Sequence, residues 1–348
     1  MMSSRERVLL AIDRKEPDRV PLGSPQGVVN VNDAVKKFLK EFDFDHVIRL
    51  NFLKSPDERR KVSDGICVDD FGCIFMHKGV ENVPYCIHNP LRDARKVEDI
   101  ERFRWPDPND PSLLKKDAYE NAKKICKGER EYVTAVGVGE IFHTYARLRG
   151  FDKWLMDMKI NPEVYEVIAS KIYNIRLRMT MRVLEEVGDY VDLIRMGDDM
   201  GSTNAPFMSV EDFRRFVKPY YKNLITRIKK EFPKVKFWLH SHGCIMKLVP
   251  DIIDAGVDVL NPVLPGDNMD HKRLKKEFGS QLCFDGGVDV ENVMIFGTTN
   301  QVKEHVKKVI DTLAPGGGYI FKVQMISNVT PPRNIFMAYR TALEYGKY

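Results

Sequence analysis

The sequence predicts an α/β protein built as a single (β/α)8 TIM barrel, and two observations support this. From about residue 130 onward, apolar segments typical of strands alternate with amphipathic helices at regular intervals. Strands that alternate with helices form parallel sheets. The alternative is an open, doubly wound sheet, but no G-x-G-x-x-G or phosphate-binding loop follows any strand. We therefore expect one domain over residues 1–348.

The predicted elements follow one another along the chain, after a short N-terminal extension. The strand count reaches eight if the amino-terminal part contributes two, and the strands are Val20–Leu22, Val47–Phe52, Tyr132–Val138, Val191–Met196, Val235–Leu239, Val257–Leu260, Leu282–Phe284 and Tyr319–Val323. The predicted helices are Ile141–Met158, Pro162–Val187, Val210–Glu231, Cys244–Ala255, Asp270–Phe278, Gln301–Leu313 and Asn334–Tyr345. Pro162 suits the first turn of a helix, and Gly256 suits the end of one. The segment Gly65–Val83 differs from this rhythm and predicts an inserted β-hairpin.

The composition is that of a globular protein, with 43% hydrophobic and 30% charged residues. The formal net charge is +5, and the basic residues are spread along helices without a basic block that interleaves aromatic residues, so we do not expect nucleic-acid binding. No apolar run has the length of a membrane span, and the amino terminus lacks the apolar segment of a signal peptide. The six cysteines form no C-x-x-C pair, which indicates free thiols in a reducing cytoplasm.

The most informative segment is Phe237–Cys244, in which a predicted strand continues into His240-Ser-His242. Residues i and i+2 of an extended chain point to the same face, so both imidazoles project together from the strand end. Such a pair suits a metal ion, an acid/base pair or an anchor for a polar substrate. The alternative is that one histidine packs in the core and the other caps the next helix.

Polar side chains follow other predicted strands as well, and in a barrel all these strand ends meet at one mouth. Aspartates after a strand also cap helices or form turns, so each of them taken alone fits either role. Because the polar groups converge, we predict a catalytic set that consists of His240, His242, Asp198, Asp199 and Glu140. The predicted pocket walls, which include aromatic residues that would equally suit a core, are Phe142, Tyr145, Phe207, Phe284, Asp285 and Gln324.

A zinc site is one chemistry that these strand ends allow, because zinc binds His nitrogen, Cys thiolate and carboxylate oxygen. The ligand pair that we favour is His242 with Cys283, joined by His240 or by one of the aspartates. A lone cysteine in an apolar strand is also an ordinary core residue. Both interpretations of Cys283 stay open at this point.

Ten short motifs, in this order, resemble the uroporphyrinogen decarboxylase superfamily and, within it, the corrinoid-dependent methyltransferases. The motifs are Arg5–Asp13, Glu16–Pro21, Arg149–Phe151 (with Asp157), Asn161–Pro162, Gly197–Gly201, Phe216–Pro219, His240–Gly243, Gly256–Pro262, Gly286–Asp289 and Pro315–Ile320 (with Pro331–Pro332). The resemblance implies a (β/α)8 barrel, in agreement with the strand count.

Departures from the family pattern separate its activities. Decarboxylases of this superfamily carry an arginine-rich segment after the first strand, which binds the acidic side chains of the porphyrinogen, whereas Gly23–Asn30 contains no arginine. Thiol-using methyltransferases carry a cysteine at the position of His242 and another in the late glycine turn, where this chain has Gly316–Gly318. The pattern is most similar to the ether-cleaving members.

The resemblance therefore implies a cytoplasmic methyltransferase that demethylates a methoxylated aromatic compound. The methyl acceptor is the cobalt of a corrinoid (cobalamin) on a separate partner protein, zinc is a candidate cofactor, and a homodimer is a candidate assembly. The alternatives are a decarboxylase, a methyltransferase for methanol, methylamine or a thiol, and a non-enzymatic corrinoid-binding barrel. A positively charged pocket would favour decarboxylation of an acid, and neutral aromatic walls would favour ether cleavage.

Overall fold

A computed structural model of the chain describes residues 2–25, 40, 42–52, 61–63, 65–78, 83–115, 117–125, 131–324 and 329–348. The strands are β1 (Val47–Arg49), β2 (Lys61–Ser63), β3 (Ile66–Val68), β4 (Ile74–Lys78), β5 (Val83–His88), β6 (Val133–Gly139), β7 (Leu193–Gly197), β8 (Lys236–His240), β9 (Val259–Asn261), β10 (Cys283–Gly287) and β11 (Tyr319–Lys322). β1 and β6 to β11 form one parallel sheet, in which neighbours along the chain are neighbours in space.

The eighth barrel position is filled by a single bridge, not by the strand that the sequence predicts at Val20–Leu22. Leu22 pairs in parallel with Phe321 of β11, and the backbone N–H of Gly23 donates to the Phe321 carbonyl at 2.8 Å. On the other side, the N–H of Asp45 donates to the Leu22 carbonyl at 2.8 Å, just before β1. Pro21 has no N–H to donate, which limits the length of this pairing. The predicted (β/α)8 barrel is confirmed.

The helices are α1 (Ser4–Ile12), α2 (Val97–Glu101), α3 (Ala118–Ile125), α4 (Phe142–Arg149), α5 (Phe151–Ile160), α6 (Pro162–Val187), α7 (Val210–Asp212), α8 (Lys218–Glu231), α9 (Val249–Asp254), α10 (His271–Phe278), α11 (Thr299–Leu313) and α12 (Pro332–Tyr345). The helix predicted at Ile141–Met158 is two helices, because Gly150 adopts a φ of 97° between them. A π-helical turn at Phe213–Val217 joins α7 to α8, and the helix predicted at Cys244–Ala255 is only α9, after a 3-10 turn at Met246–Leu248. Among the described residues, no helix has both the length and the apolar character needed to cross a bilayer.

Helix α1 closes the amino-terminal end of the barrel. Ser3 and Glu6 form a capping box at its start, and its buried side chains pack against the inward-facing residues of the strands. This apolar plug consists of Val8, Ala11, Ile12, Val133, Ala135, Leu193, Trp238, Val259, Cys283 and Ile320. Because one end is sealed in this way, the polar groups of the site collect at the opposite, carboxyl end of the strands.

The predicted hairpin insertion is larger than the sequence indicated. Strands β2 to β5 form a four-stranded antiparallel sheet. A buried ion pair fixes the segment that follows β5. Arg149 Nε lies 2.8 Å from Asp157 Oδ2, and Arg149 also donates to the carbonyls of Leu91 and Ala94 at 2.7 Å. This network holds the insertion beside α4, which begins at the barrel mouth.

Candidate active site

A cavity of about 390 Å³ lies at the carboxyl ends of the barrel strands. Its lining comes from β1, β6, β7 and β8, and consists of Arg49, Asn51, Ala135, Gly137, Gly139, Glu140, Arg195, Met196, Gly197, Trp238 and His240. The volume is at the lower end of the range of small-molecule sites, about 300–1,000 Å³. It suits a compound of one ring better than a tetrapyrrole.

The loops that follow β7 and β8 contact each other through two glycines. A Cβ on Gly243 would lie 2.1 Å from the Gly201 carbonyl oxygen, and a Cβ on Gly201 would lie 2.8 Å from the Cys244 nitrogen. The Cys244 N–H donates to the Ser202 carbonyl at 2.7 Å across the same contact. Only glycines permit this approach, so they fix the two loops that carry Asp199 and His242.

His240 is held in one tautomer by Asn261. The Asn261 side-chain nitrogen donates to the Asp285 backbone carbonyl at 2.9 Å, so the Asn261 side-chain oxygen accepts a hydrogen bond from His240 Nδ1–H at 2.7 Å. Nε2 of the ring then faces Asp199 Oδ1 at 3.6 Å. Burial lowers the pKa of His240, although the Asn261 hydrogen bond and the Asp199 charge oppose this. The ring is therefore a neutral acceptor at rest, with its lone pair on Nε2.

His242 is positioned by two carboxylates. Its backbone N–H donates to Asp199 Oδ1 at 2.8 Å, and its Nδ1 lies 3.0 Å from Asp267 Oδ2. The same Asp267 oxygen accepts the Gly243 N–H at 3.2 Å. The predicted pair of imidazoles is thus brought to one mouth, with ring centroids 6.4 Å apart.

Asp198 lies beneath the site and caps helix α4. It is 1% exposed, and it accepts the backbone N–H groups of Ile141, Phe142 and His143 at 3.2, 2.9 and 2.8 Å. The Tyr221 hydroxyl donates to it at 2.8 Å. Burial raises the pKa of Asp198 to about 6, against these donors. Four donors occupy its carboxylate, so Asp198 positions α4 and does not reach the cavity.

Glu140 lines the cavity and is held as a carboxylate. Its Oε2 lies 2.6 Å from Arg147 Nη2, and its Oε1 lies 3.6 Å from His143 Nδ1. Burial raises the pKa of Glu140, but the His143 hydrogen bond and the charges of Arg147 and Arg176 outweigh burial and lower the pKa to about 2. Since its charge is already matched by Arg147, Glu140 suits hydrogen-bond acceptance better than proton donation.

None of the four predicted aromatic wall residues is among the described residues that line the cavity. Phe142, Tyr145 and Phe284 are fully buried, and Tyr145 donates its hydroxyl to Asp157 at 2.8 Å. Phe207 lies at the rim against Phe151, with ring centroids 5.1 Å apart. The other two predicted wall residues are also buried: Asp285 lies inside the barrel and Gln324 beyond the end of β11. The aromatic ring that lines the cavity is that of Trp238.

The favoured zinc ligands are not brought together. Cys283 starts β10 and pairs with Val259 in the plug, two residues before the level at which His240 pairs with Asn261. Burial raises the pKa of the Cys283 thiol, which keeps it protonated. The described ranges contain no group of at least three His, Cys, Asp or Glu side chains that lie close enough together to hold a metal ion. These residues do not fit the zinc ion that the resemblance suggested.

The sequence prediction missed Arg49, Arg195 and Trp238, which face the cavity from within the strands. Strand alternation could have indicated them. Trp238 lies two residues before His240 and therefore on the same face of β8, and Arg195 is the register partner of Trp238 on β7. A charged side chain inside a parallel barrel strand is unusual, because such strands are buried on both faces.

Comparison with known proteins agrees with the barrel and its motifs. The relatives named uroporphyrinogen decarboxylase include one from Chlorobium phaeobacteroides, 26% identical over 222 residues (62% of this chain, 59% of the relative). Another, from Chlorobaculum tepidum, is 24% identical over 241 residues (68% and 63%). The chain thus spans less than two thirds of the length of these two relatives.

A solved structure described as a methyltransferase from Methanosarcina mazei shares the fold, with a TM-score of 0.66 at 18% identity and 99% coverage of both chains. The family model for uroporphyrinogen decarboxylase (URO-D) matches residues 69–345. This range includes β4 to β11 and every cavity residue except Arg49 and Asn51, and it confirms the resemblance that the motifs predict. The chain therefore belongs to the uroporphyrinogen decarboxylase family.

Proposed function

We propose that this protein transfers a methyl group from a methoxylated aromatic compound to the cobalt of a corrinoid protein. The observation that carries the proposal is the orientation of His240, whose Nε2 faces the cavity mouth beside Asp199. An aryl methyl ether is a poor methyl donor because phenolate is a poor leaving group, and a proton delivered to the ether oxygen lowers the barrier.

His240 suits this acid role when it has taken up a proton. Its lowered pKa makes the protonated ring a strong acid, and the Asp199 carboxylate stabilises that ring. Asn261 keeps the other nitrogen occupied, so the transferable proton sits on Nε2. The corrinoid of the partner protein supplies the nucleophile that takes the methyl group, and the residues of this chain bind and orient the ether.

The cavity charge supports a second candidate, the decarboxylation of an acid. Arg49 and Arg195 make part of the wall positive, which is the condition that favours decarboxylation. Against this stands the absence of arginine from Gly23–Asn30. The volume of the cavity argues against a porphyrinogen as the substrate, whether the reaction is methyl transfer or decarboxylation. The two candidates differ in product, a methylated corrinoid or carbon dioxide.

The test is an anoxic absorbance assay with free cob(I)alamin and a panel of methoxylated benzenes and benzoates, methanol, methylamines and methyl thioethers. Methylcobalamin should form from the methoxylated aromatics. His240→Gln should slow its formation at least about 100-fold, the lower range for loss of a general acid. His88→Gln, at an exposed position of β5, is the matched control.

Carbon dioxide release is followed on the same panel. Methylcobalamin from methoxylated aromatics, lost in His240→Gln alone, would support the proposal. No methylcobalamin from any donor, together with carbon dioxide from an aromatic acid, would replace it with decarboxylation.

A further inference from the structure

Two arginines face the cavity from the two strands that flank β6, Arg49 from β1 and Arg195 from β7. Arg195 lies over the Trp238 ring, with its Cζ 3.7 Å from the ring centroid. Stacking of this kind uses the face of the guanidinium group and leaves the N–H donors on its edge directed sideways. Among the residues that the structure describes, neither guanidinium group has a hydrogen bond or an ion pair.

The carboxylates nearby are too few to match the two arginines, because the single charge of Asp285 acts on Arg49, Arg195 and Lys322 together. Asp285 Oδ2 accepts from Trp238 Nε1 at 2.8 Å and lies 3.6 Å from Lys322 Nζ. Glu140 is paired with Arg147 at 2.6 Å. The charges of Arg49 and Arg195 are therefore in excess in this part of the cavity.

Holding this excess is unfavourable without an anion. Burial lowers the pKa of Arg195, and the neighbouring Arg49 lowers it further, although the charge of Asp285 opposes both. Burial also lowers the pKa of Arg49. Like charges that are partly removed from water repel each other, and a bound anion relieves both the repulsion and the unmet hydrogen bonding.

We propose that Arg49 and Arg195 bind the carboxylate of the substrate, so that the methyl donor is a methoxylated aromatic acid. The methoxyl part of this statement rests on the proposed function; the carboxylate part does not. Two arginine forks match the geometry of a carboxylate, with charge-assisted hydrogen bonds.

The dimensions of the cavity agree with this substrate class. Arg195 lies two residues deeper along β7 than Gly197, the register partner of His240, which is about 7 Å at the rise of a strand. A benzene ring that lies along β7 would therefore have its carboxylate at the deeper level of Arg195 and its ether oxygen at the outer level of His240. Space for the ring exists beside Gly137, since a Cβ there would meet nothing within 4 Å.

The test measures binding without methyl transfer, by titration calorimetry with benzoate and with its neutral analogue benzamide. The buffer has low ionic strength and no phosphate, because arginine pairs also bind inorganic anions. Benzoate should bind at least about tenfold more tightly than benzamide. Arg49→Gln and Arg195→Gln should each remove that preference.

Two further variants serve as controls. Arg273→Gln, on the exposed face of α10 with 56% of the side chain accessible, should leave both affinities unchanged. Gly137→Leu fills the cavity and should weaken both compounds. The thermal midpoints of Arg49→Gln and Arg195→Gln should be no lower than that of the parent, because each removes an unmatched charge, and this shows that a lost affinity is not lost folding.

Equal affinity for benzoate and benzamide, or unchanged benzoate affinity in both arginine variants, would overturn the inference. Benzoate binding through the arginines without demethylation of methoxybenzoates would support the carboxylate site and remove the proposed methyl transfer. Demethylation of methoxybenzene and methoxybenzoate at the same rate, insensitive to Arg195→Gln, would support the proposed methyl transfer and remove the carboxylate site.

Discussion

The contact between Gly201 and Gly243 gives the sharpest test of how the site is built. Gly243→Ala places a Cβ 2.1 Å from the Gly201 carbonyl oxygen, at a φ of 90°. The left-handed φ costs about 1–2 kcal/mol for a residue with a Cβ. The overlap with backbone adds about 1–3 kcal/mol, because the two loops must separate. We expect the free energy of unfolding to fall by about 2–5 kcal/mol in total.

Two companion variants separate these contributions. Gly316→Ala has a φ of 76° with nothing within 4 Å of the added Cβ, so it carries the conformational cost alone. Gly201→Ala, whose Cβ would lie 2.8 Å from the Cys244 nitrogen without a positive φ, carries the overlap alone. Urea unfolding followed by circular dichroism measures all three. Equal losses in Gly243→Ala and Gly316→Ala would refute the reasoning, because the loops would then have room to spare.

Two further predictions concern protonation. Glu140→Gln should lower the unfolding free energy at pH 7 by about 1–2 kcal/mol, a value discounted because the side chain is 33% exposed. The folded-state pKa of about 2 lies below the ordinary 4.5, so this stabilisation is present above about pH 4.5 and is lost as the pH falls towards 2. Urea unfolding measured at several pH values should show this loss. The control variant Glu344→Gln removes one partner of an exposed ion pair on a helix and should leave the unfolding free energy unchanged. Asn261→Asp places a carboxylate at His240 Nδ1 and should raise the pKa of that ring by about 1 unit in an NMR titration. An unchanged His240 pKa, or an equal change in the exposed-rim variant Asn268→Asp, would contradict the assigned hydrogen bond.

The fold was predictable because burial pattern and chain order suffice for a parallel barrel. Each barrel strand from β6 onward lies within three residues of its predicted bounds. The errors occur where a local backbone effect decides. Gly150 divides one predicted helix into two, and Pro21 reduces one predicted strand to a bridge. Composition windows do not detect a single positive φ or one missing donor.

The site was predictable only as a set of strand ends. His240 and Glu140 line the cavity, and Asp199 and His242 lie beside His240 on the loops that follow β7 and β8, because parallel strands of a barrel end on one side. Asp198 is adjacent in sequence to Asp199 but points the other way, towards the N–H groups of α4. Neighbouring residues of an extended segment face opposite sides, so one aspartate reaches the mouth and the other the helix layer.

The sequence by itself determined the barrel, its family and the polar residues that lie at its mouth, since hydrophobic periodicity and motif order are properties of the chain. Only the tertiary structure decided which charged side chains lie close enough to form ion pairs. It places Cys283 in the apolar plug away from His242, sets Asp285 3.6 Å from Lys322, and gives Arg49 and Arg195 no ion-pair partner among the described residues. Electrostatic pairing depends on distances between strands that lie far apart in the chain, and those distances exist only once the barrel has closed.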